Sequence, residues 1–220
     1  MVNSMSTSTL LTALLVVVCS YLIGSLPTGY LLAKARGVNI FEVGSGNMGA
    51  TNMVRIGGMG MGLVTWFLDS SKGIVAVIVA TTFLMPGERV LATVLAGFCA
   101  IVGHNWSLFI GLLTGTIRGG KGAATAFGTM IAIAPVYVIA VMLLIGGYIV
   151  ARTRLVSLAV LVMFSMAAVV MTLVVALGLD GTPWQYTVCA LAILGIVIYR
   201  FRENIQRLVR GTERRLGDSA

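Results

Sequence analysis

Three short polar stretches carry the residues best suited to chemistry in an otherwise apolar chain. The first is Gly44-Ser45-Gly46-Asn47-Met48-Gly49-Ala50-Thr51-Asn52, followed by Arg55. Its hydroxyls and amides can donate and accept, and the Arg55 guanidinium suits bidentate recognition of phosphate. The second is Arg118-Gly119-Gly120-Lys121-Gly122-Ala123-Ala124-Thr125 at the expected start of a helix. Glycines let backbone N–H groups curl around an anion, the helix N-terminus adds partial positive charge, and Lys121 adds a full one. The third runs from Arg200 to Leu208 and reads as a basic interfacial helix whose arginines meet lipid headgroups. Glu203 and Asn204 stand apart from that reading because they directly follow the last apolar run.

Other candidates point to structure. Gly115 to Lys121 has the glycine–lysine spacing of a nucleotide loop, but Gly122 sits where a magnesium-binding hydroxyl belongs and no parallel α/β unit surrounds it. Asp69 and Lys72, spaced to meet on one helix, read as an intramembrane ion pair. His104, the only histidine, is either a general base or a structural hydrogen-bonding group. Cys19, Cys99 and Cys189 lie far apart in apolar runs and read as small buried residues. No zinc-protease or serine-hydrolase motif occurs. The polar stretches are therefore expected to hold phosphate-bearing molecules rather than to supply a nucleophile.

These stretches must be positioned by membrane helices. The 220 residues are 58% hydrophobic and 10% charged, with a mean hydropathy of +1.02. Soluble domains carry about 25% charged residues, so a soluble fold is excluded. Spans are expected at 9–33, 61–85, 90–112, 155–177 and 184–200. Residues 123–151 are too long for one ordinary span and divide at Pro135 into 123–133 and 136–151. The first run lacks a preceding basic residue and is too long for a signal-peptide core, so it reads as a retained span. The result is an all-α integral membrane domain, 1–220, with about seven crossings and a basic tail over about 201–220. Thirteen of the fifteen basic residues then share one face, which the positive-inside rule makes cytoplasmic, with the N-terminus outside. All three polar stretches emerge there.

The motifs Gly24-Ser25-Leu26-Pro27-Thr28-Gly29-Tyr30, Gly44 to Arg55, Leu68-Asp69-Ser70-Ser71-Lys72-Gly73, Gly103-His104, Gly119 to Thr125, Val156-Ser157-Leu158-Ala159 and Arg202-Glu203-Asn204-Ile205 to Glu213 follow one another in order. In this the chain resembles the acyl-phosphate-dependent glycerol-3-phosphate acyltransferase family of bacteria, over nearly its whole length. The resemblance implies transfer of a fatty acyl group from acyl phosphate to glycerol 3-phosphate at the cytoplasmic side of the inner membrane. Ser45 and Arg55 would be essential, with Asn204 also in the active site. Gly119, Gly120, Lys121 and Gly122 would form the glycerol-phosphate loop, Ser157 would contact phosphate, and Glu213 would maintain the structure. Asn47 and Thr51 join the substrate-binding set, and His104 the catalytic one.

Three departures accompany the resemblance. Phe201 stands where the family has a histidine, Ser107 where it has a proline, and the link from Leu112 to Arg118 is longer than usual. If the family histidine binds phosphate, Arg200 or Arg202 could replace it. The implied partners are acyl phosphate, glycerol 3-phosphate and membrane lipid, with no nucleic acid, metal or diffusible cofactor. A membrane binder or transporter of organic phosphates on the same fold is the alternative reading. Acyl-chain preference and oligomeric state are not encoded in any motif found.

Overall fold

The computed structural model describes residues 6–218; the outermost residues of the expected 1–220 unit, 1–5 and 219–220, lie outside it. Ten α-helices account for most of it: α1 (Thr7–Ser25), α2 (Thr28–Lys34), α3 (Ala50–Val79), α4 (Arg89–Asn105), α5 (Leu108–Thr114), α6 (Ala123–Ile133), α7 (Val136–Thr153), α8 (Val156–Ala176), α9 (Trp184–Arg200) and α10 (Arg202–Val209). The expected all-helical integral membrane fold is observed, with large apolar side chains such as Leu14, Leu144 and Val169 exposed on its outside. Five stretches are long and apolar enough to cross a membrane: Thr7–Lys34, Ala50–Leu84, Pro86–Asn105, Val136–Thr153 and Val156–Ala176. Trp184–Arg200 and Arg202–Val209, bent by 64°, make a sixth if taken together, while α6 is shorter.

Breaks in the helices shape the polar face. The first run is divided because Pro27 has no N–H and pushes Leu26 out of the α-region, to φ −53° and ψ 120°. The expected third span also stops early, at Asn105, without proline or glycine at the break. Instead, the Tyr21 hydroxyl donates to the Trp106 carbonyl at 2.7 Å. The Ser107 hydroxyl donates to the Ser25 carbonyl at 2.6 Å and accepts from the Ile110 N–H to cap α5. Thus Ser107, one of the departures, ties the α1–α2 break to the α4–α5 break. Arg55, expected in a polar segment ahead of a span, lies in the opening turns of α3. Gly57 and Gly58 kink that helix rather than beginning it, and Gly58 has φ +77°.

Close helix contact depends on small residues. A Cβ on Gly24 would overlap the Ala100 carbonyl, and one on Gly103 would overlap the Tyr21 carbonyl, so α1 and α4 meet almost backbone to backbone. Gly73 and Gly128 allow the same approach between α3 and α6. The Thr125 hydroxyl donates across this contact to the Asp69 carbonyl at 2.9 Å. A second block packs α7, α8 and α9 around Met142, Phe164, Met171 and Ile193. The proposed split at Pro135 is observed, with α6 ending and α7 beginning on either side.

Candidate active site

The first polar stretch folds back over the start of α3. Buried Asn52 fixes it: its amide oxygen accepts from the Ser45 N–H at 3.1 Å, and its NH2 donates to the Ile40 and Val43 carbonyls at 3.3 and 3.0 Å. Gly44 and Gly46, with φ of +59° and +64°, make the turn that presents Ser45.

The tail closes the other side. Glu213 is the common acceptor: Oε1 accepts from Ser157 Oγ at 3.0 Å and from the Asn204 NH2, and Oε2 accepts from Arg207 Nε at 2.8 Å. The Asn204 amide oxygen in turn accepts from Lys121 Nζ. Arg214 donates to the Gly44 carbonyl at 2.8 Å, joining the tail to the first stretch. These arrangements correct the lipid-headgroup reading for Arg200 and Arg207. Arg200 donates to the Gly120 carbonyl at 2.7 Å and sits over the Trp106 ring.

Together these segments enclose a cavity of about 580 Å3 with two chemically distinct ends. Its polar end contains Ser45, Asn47, Thr51, Arg55, Lys121, Gly122, Ser157 and Asn204, all singled out from the sequence. Gly119 and Gly120 lie behind this wall, where the Gly120 N–H donates to the His104 carbonyl at 3.1 Å. Arg207 and Arg214 also line it. Arg207 was detectable, lying one helical turn after Asn204; Arg214 follows the helix and had no periodic signal. The apolar end runs between α3, α6, α7 and α8 past Leu63, Trp66, Phe127, Met142, Leu143 and Met163.

Charge in the polar end is unbalanced. Arg55, Lys121, Arg207 and Arg214 line the cavity against two carboxylates, and of these Asp69 is already paired with Lys72 and Glu213 with Arg207. Burial, reinforced by the nearby Arg207 charge, pushes Lys121 down to about 8. Arg55 Nε is buried without a hydrogen-bond partner, leaving a donor for an anionic oxygen. Phe201 is buried below Lys121, whose ammonium lies 5.1 Å from the ring centroid. Arg200 and Arg202 do not line the cavity, so neither occupies the proposed replacement role; Arg202 lies over the Tyr199 ring.

At the inner wall, Asp69, Lys72 and His104 form a buried cluster. Lys72 Nζ is 2.6 Å from Asp69 Oδ1, and His104 Nδ1 is 3.5 Å from Lys72 and 3.7 Å from Asp69. The Thr28 hydroxyl also donates to Asp69. The ion pair read from sequence is present. His104 is packed against Gly120 so closely that a Cβ there would overlap Nε2.

Comparison with known proteins matches this architecture. A family profile described as glycerol-3-phosphate acyltransferase fits residues 14–211. A glycerol-3-phosphate acyltransferase from Geobacter sulfurreducens is 41% identical over 206 residues, covering 94% of this chain and 98% of the relative. One from Desulforudis audaxviator is 39% identical over 206 residues, covering 93% and 96%. The crystal structure of PlsY (YgiH), an integral membrane glycerol 3-phosphate acyltransferase, in its glycerol 3-phosphate form superposes with a TM-score of 0.80 at 35% identity, covering 93% of this chain and 96% of that one. Its lysophosphatidic acid form gives 0.78, at the same identity. This chain belongs to the glycerol-3-phosphate acyltransferase family.

Proposed function

We propose that the chain transfers a fatty acyl group from acyl phosphate to the 1-position hydroxyl of glycerol 3-phosphate, yielding lysophosphatidic acid and inorganic phosphate. The observation carrying this reading is one cavity with a cation-rich polar end continuous with an apolar end. Such a cavity suits a donor and product that join a phosphate to a fatty chain, together with a small phosphate acceptor. The PlsY structures with glycerol 3-phosphate and lysophosphatidic acid support the same chemistry.

Arg55, Lys121, Arg207 and Arg214 hold the two phosphates. Ser45, Asn47, Thr51, Ser157 and Asn204 orient them through hydrogen bonds, while Gly119 to Gly122 keep the loop compact. The glycerol hydroxyl oxygen bonds to the acyl carbon, and the acyl carbon–oxygen bond to phosphate breaks. The hydroxyl proton leaves on the released phosphate. Positioning and stabilisation of the developing oxyanion by these donors supply the acceleration without a covalent enzyme intermediate.

The reading places the site on the cytoplasmic face of the bacterial inner membrane, with seven crossings and the N-terminus outside. The distribution of thirteen of fifteen basic residues to one face supports it. Purified protein in detergent or bilayer, given acyl phosphate and glycerol 3-phosphate, should release phosphate and form lysophosphatidic acid. Arg55→Ala and Lys121→Ala should lose most of that activity. Folded wild-type protein that moves labelled glycerol phosphate across sealed vesicles without releasing phosphate would establish transport instead.

A further inference from the structure

A second pocket, of about 430 Å3, lies apart from the acyl-transfer cavity and shares no wall residue with it. Its walls come from α2 (Tyr30, Lys34), the following loop (Asn39, Phe41), and the end of α5 with the longer link after it (Thr114, Arg118). We infer that this pocket binds the phosphate headgroup of an anionic phospholipid.

Both cations are held by aromatic faces. Arg118 stacks on Phe41 with its guanidinium carbon 3.5 Å from the ring centroid, and Lys34 Nζ lies 5.9 Å from that of Tyr30. The two rings are 5.8 Å apart, so cation, ring, ring and cation form one row. Neither cation forms an ion pair among the described residues. Glu42, the nearest acidic residue in sequence, is engaged by the Asn39 amide. Stacking uses the face of the guanidinium and leaves its edge N–H donors available to phosphate oxygens. Arg118 is fixed further by a backbone bridge to Ser107.

The flanks select a lipid over a free anion. Leu31, Leu113 and Ile117 adjoin pocket residues in sequence, Leu112 lies one residue further on, and all four are exposed, Leu112 at 74% and Ile117 at 61%. In an integral membrane protein, such exposed side chains suit acyl chains beside a headgroup. The longer link supplies Thr114, Ile117 and Arg118, giving this departure from the family pattern a physical role. The inference rests on the membrane character of the chain and does not depend on the acyl-transfer reading.

The test uses the full chain in neutral detergent with glycerol 3-phosphate saturating the first cavity. Phosphatidylglycerol, phosphatidylcholine and inorganic phosphate are titrated separately, with retained ligand counted by native mass spectrometry. Wild type should retain phosphatidylglycerol preferentially. Lys34→Gln and Arg118→Gln should each weaken that binding about fivefold, and together about thirtyfold. Neither residue lines the catalytic cavity, so phosphate release and lipid-free thermal unfolding should remain unchanged in the double variant, showing that it folds. Unchanged phosphatidylglycerol binding in a folded double variant overturns the inference. Phosphate competing as well as the lipid at equal concentration overturns the lipid assignment.

Discussion

Substitution of Gly120 by alanine tests whether His104 supports the glycine loop or takes part in the chemistry. The added Cβ would overlap His104 Nε2. The imidazole is buried and bounded by Lys72 and Asp69 at 3.5 and 3.7 Å from Nδ1, so it has little room to turn away. The loop must therefore yield. Overpacking of this kind costs about 1–3 kcal/mol, and a displacement of roughly 1 Å near reacting groups lowers a rate about a hundredfold. Gly120→Ala should accordingly reduce kcat/KM for glycerol 3-phosphate about a hundredfold, or roughly 2.7 kcal/mol of transition-state stabilisation.

His104→Ala removes the obstructing ring while leaving the Asp69–Lys72 pair intact. As loop support, it should cost about tenfold alone, and the double variant should recover at least about tenfold relative to Gly120→Ala, a departure from additivity of about a hundredfold or a coupling of about 2.7 kcal/mol. Steady-state phosphate release over a glycerol 3-phosphate series gives kcat and KM for all four proteins. A general base would produce a different pattern: His104→Ala alone would lose about 10²–10⁴-fold, and the double variant would be no better than either single one. That result would refute the support reading and return His104 to the catalytic set.

Other perturbations probe the remaining parts of the site. Since burial and Arg207 push free Lys121 to about 8, kcat/KM for glycerol 3-phosphate should fall as pH rises through about 8, and Lys121→Ala should abolish that break. The lowered folded-state value means the unfolded chain binds more protons between about 8 and 10.5, so this group makes stability rise with pH across that window, measurable by thermal unfolding. Asp69→Asn leaves Lys72 buried without its carboxylate and should destabilise the protein by about 3–5 kcal/mol, whereas Asp69→Asn with Lys72→Met should recover much of the loss in detergent unfolding. Gly147 lines the apolar end, and a Cβ there meets nothing within 4 Å; Gly147→Phe should shift preference toward shorter acyl phosphates in a chain-length series. Phe201→His should raise activity less than about threefold, because Arg55, Lys121, Arg207 and Arg214 already supply positive charge; a tenfold gain in phosphate release contradicts this account.

The limits of sequence reading follow from the range of the interactions involved. Pro135 announces the α6–α7 division by its own covalent structure, and the composition requires burial in lipid. The end of α4 has no such local mark: it depends on Tyr21 reaching Trp106 and Ser107 reaching Ser25, partners 85 and 82 residues away. Arg55 shows how local signals can mislead: it falls before the span expected at 61–85, yet α3 is already underway there and Gly57 and Gly58 only kink it. Much of the polar wall was legible because phosphate-binding residue types cluster around Ser45 and Lys121. The tail was harder to read, because amphipathic spacing shows that arginines share a face without showing what meets it. Glu213 makes the difference: its bond to Ser157 spans 56 residues, while Arg214 reaches Gly44 across 170. These contacts turn a segment suited to a lipid surface into one wall of the cavity. The cations that appear redundant along the sequence thus divide their work in space: Arg207 and Arg214 face the cavity, Arg200 restrains the loop behind Lys121, and Arg118 faces a separate pocket.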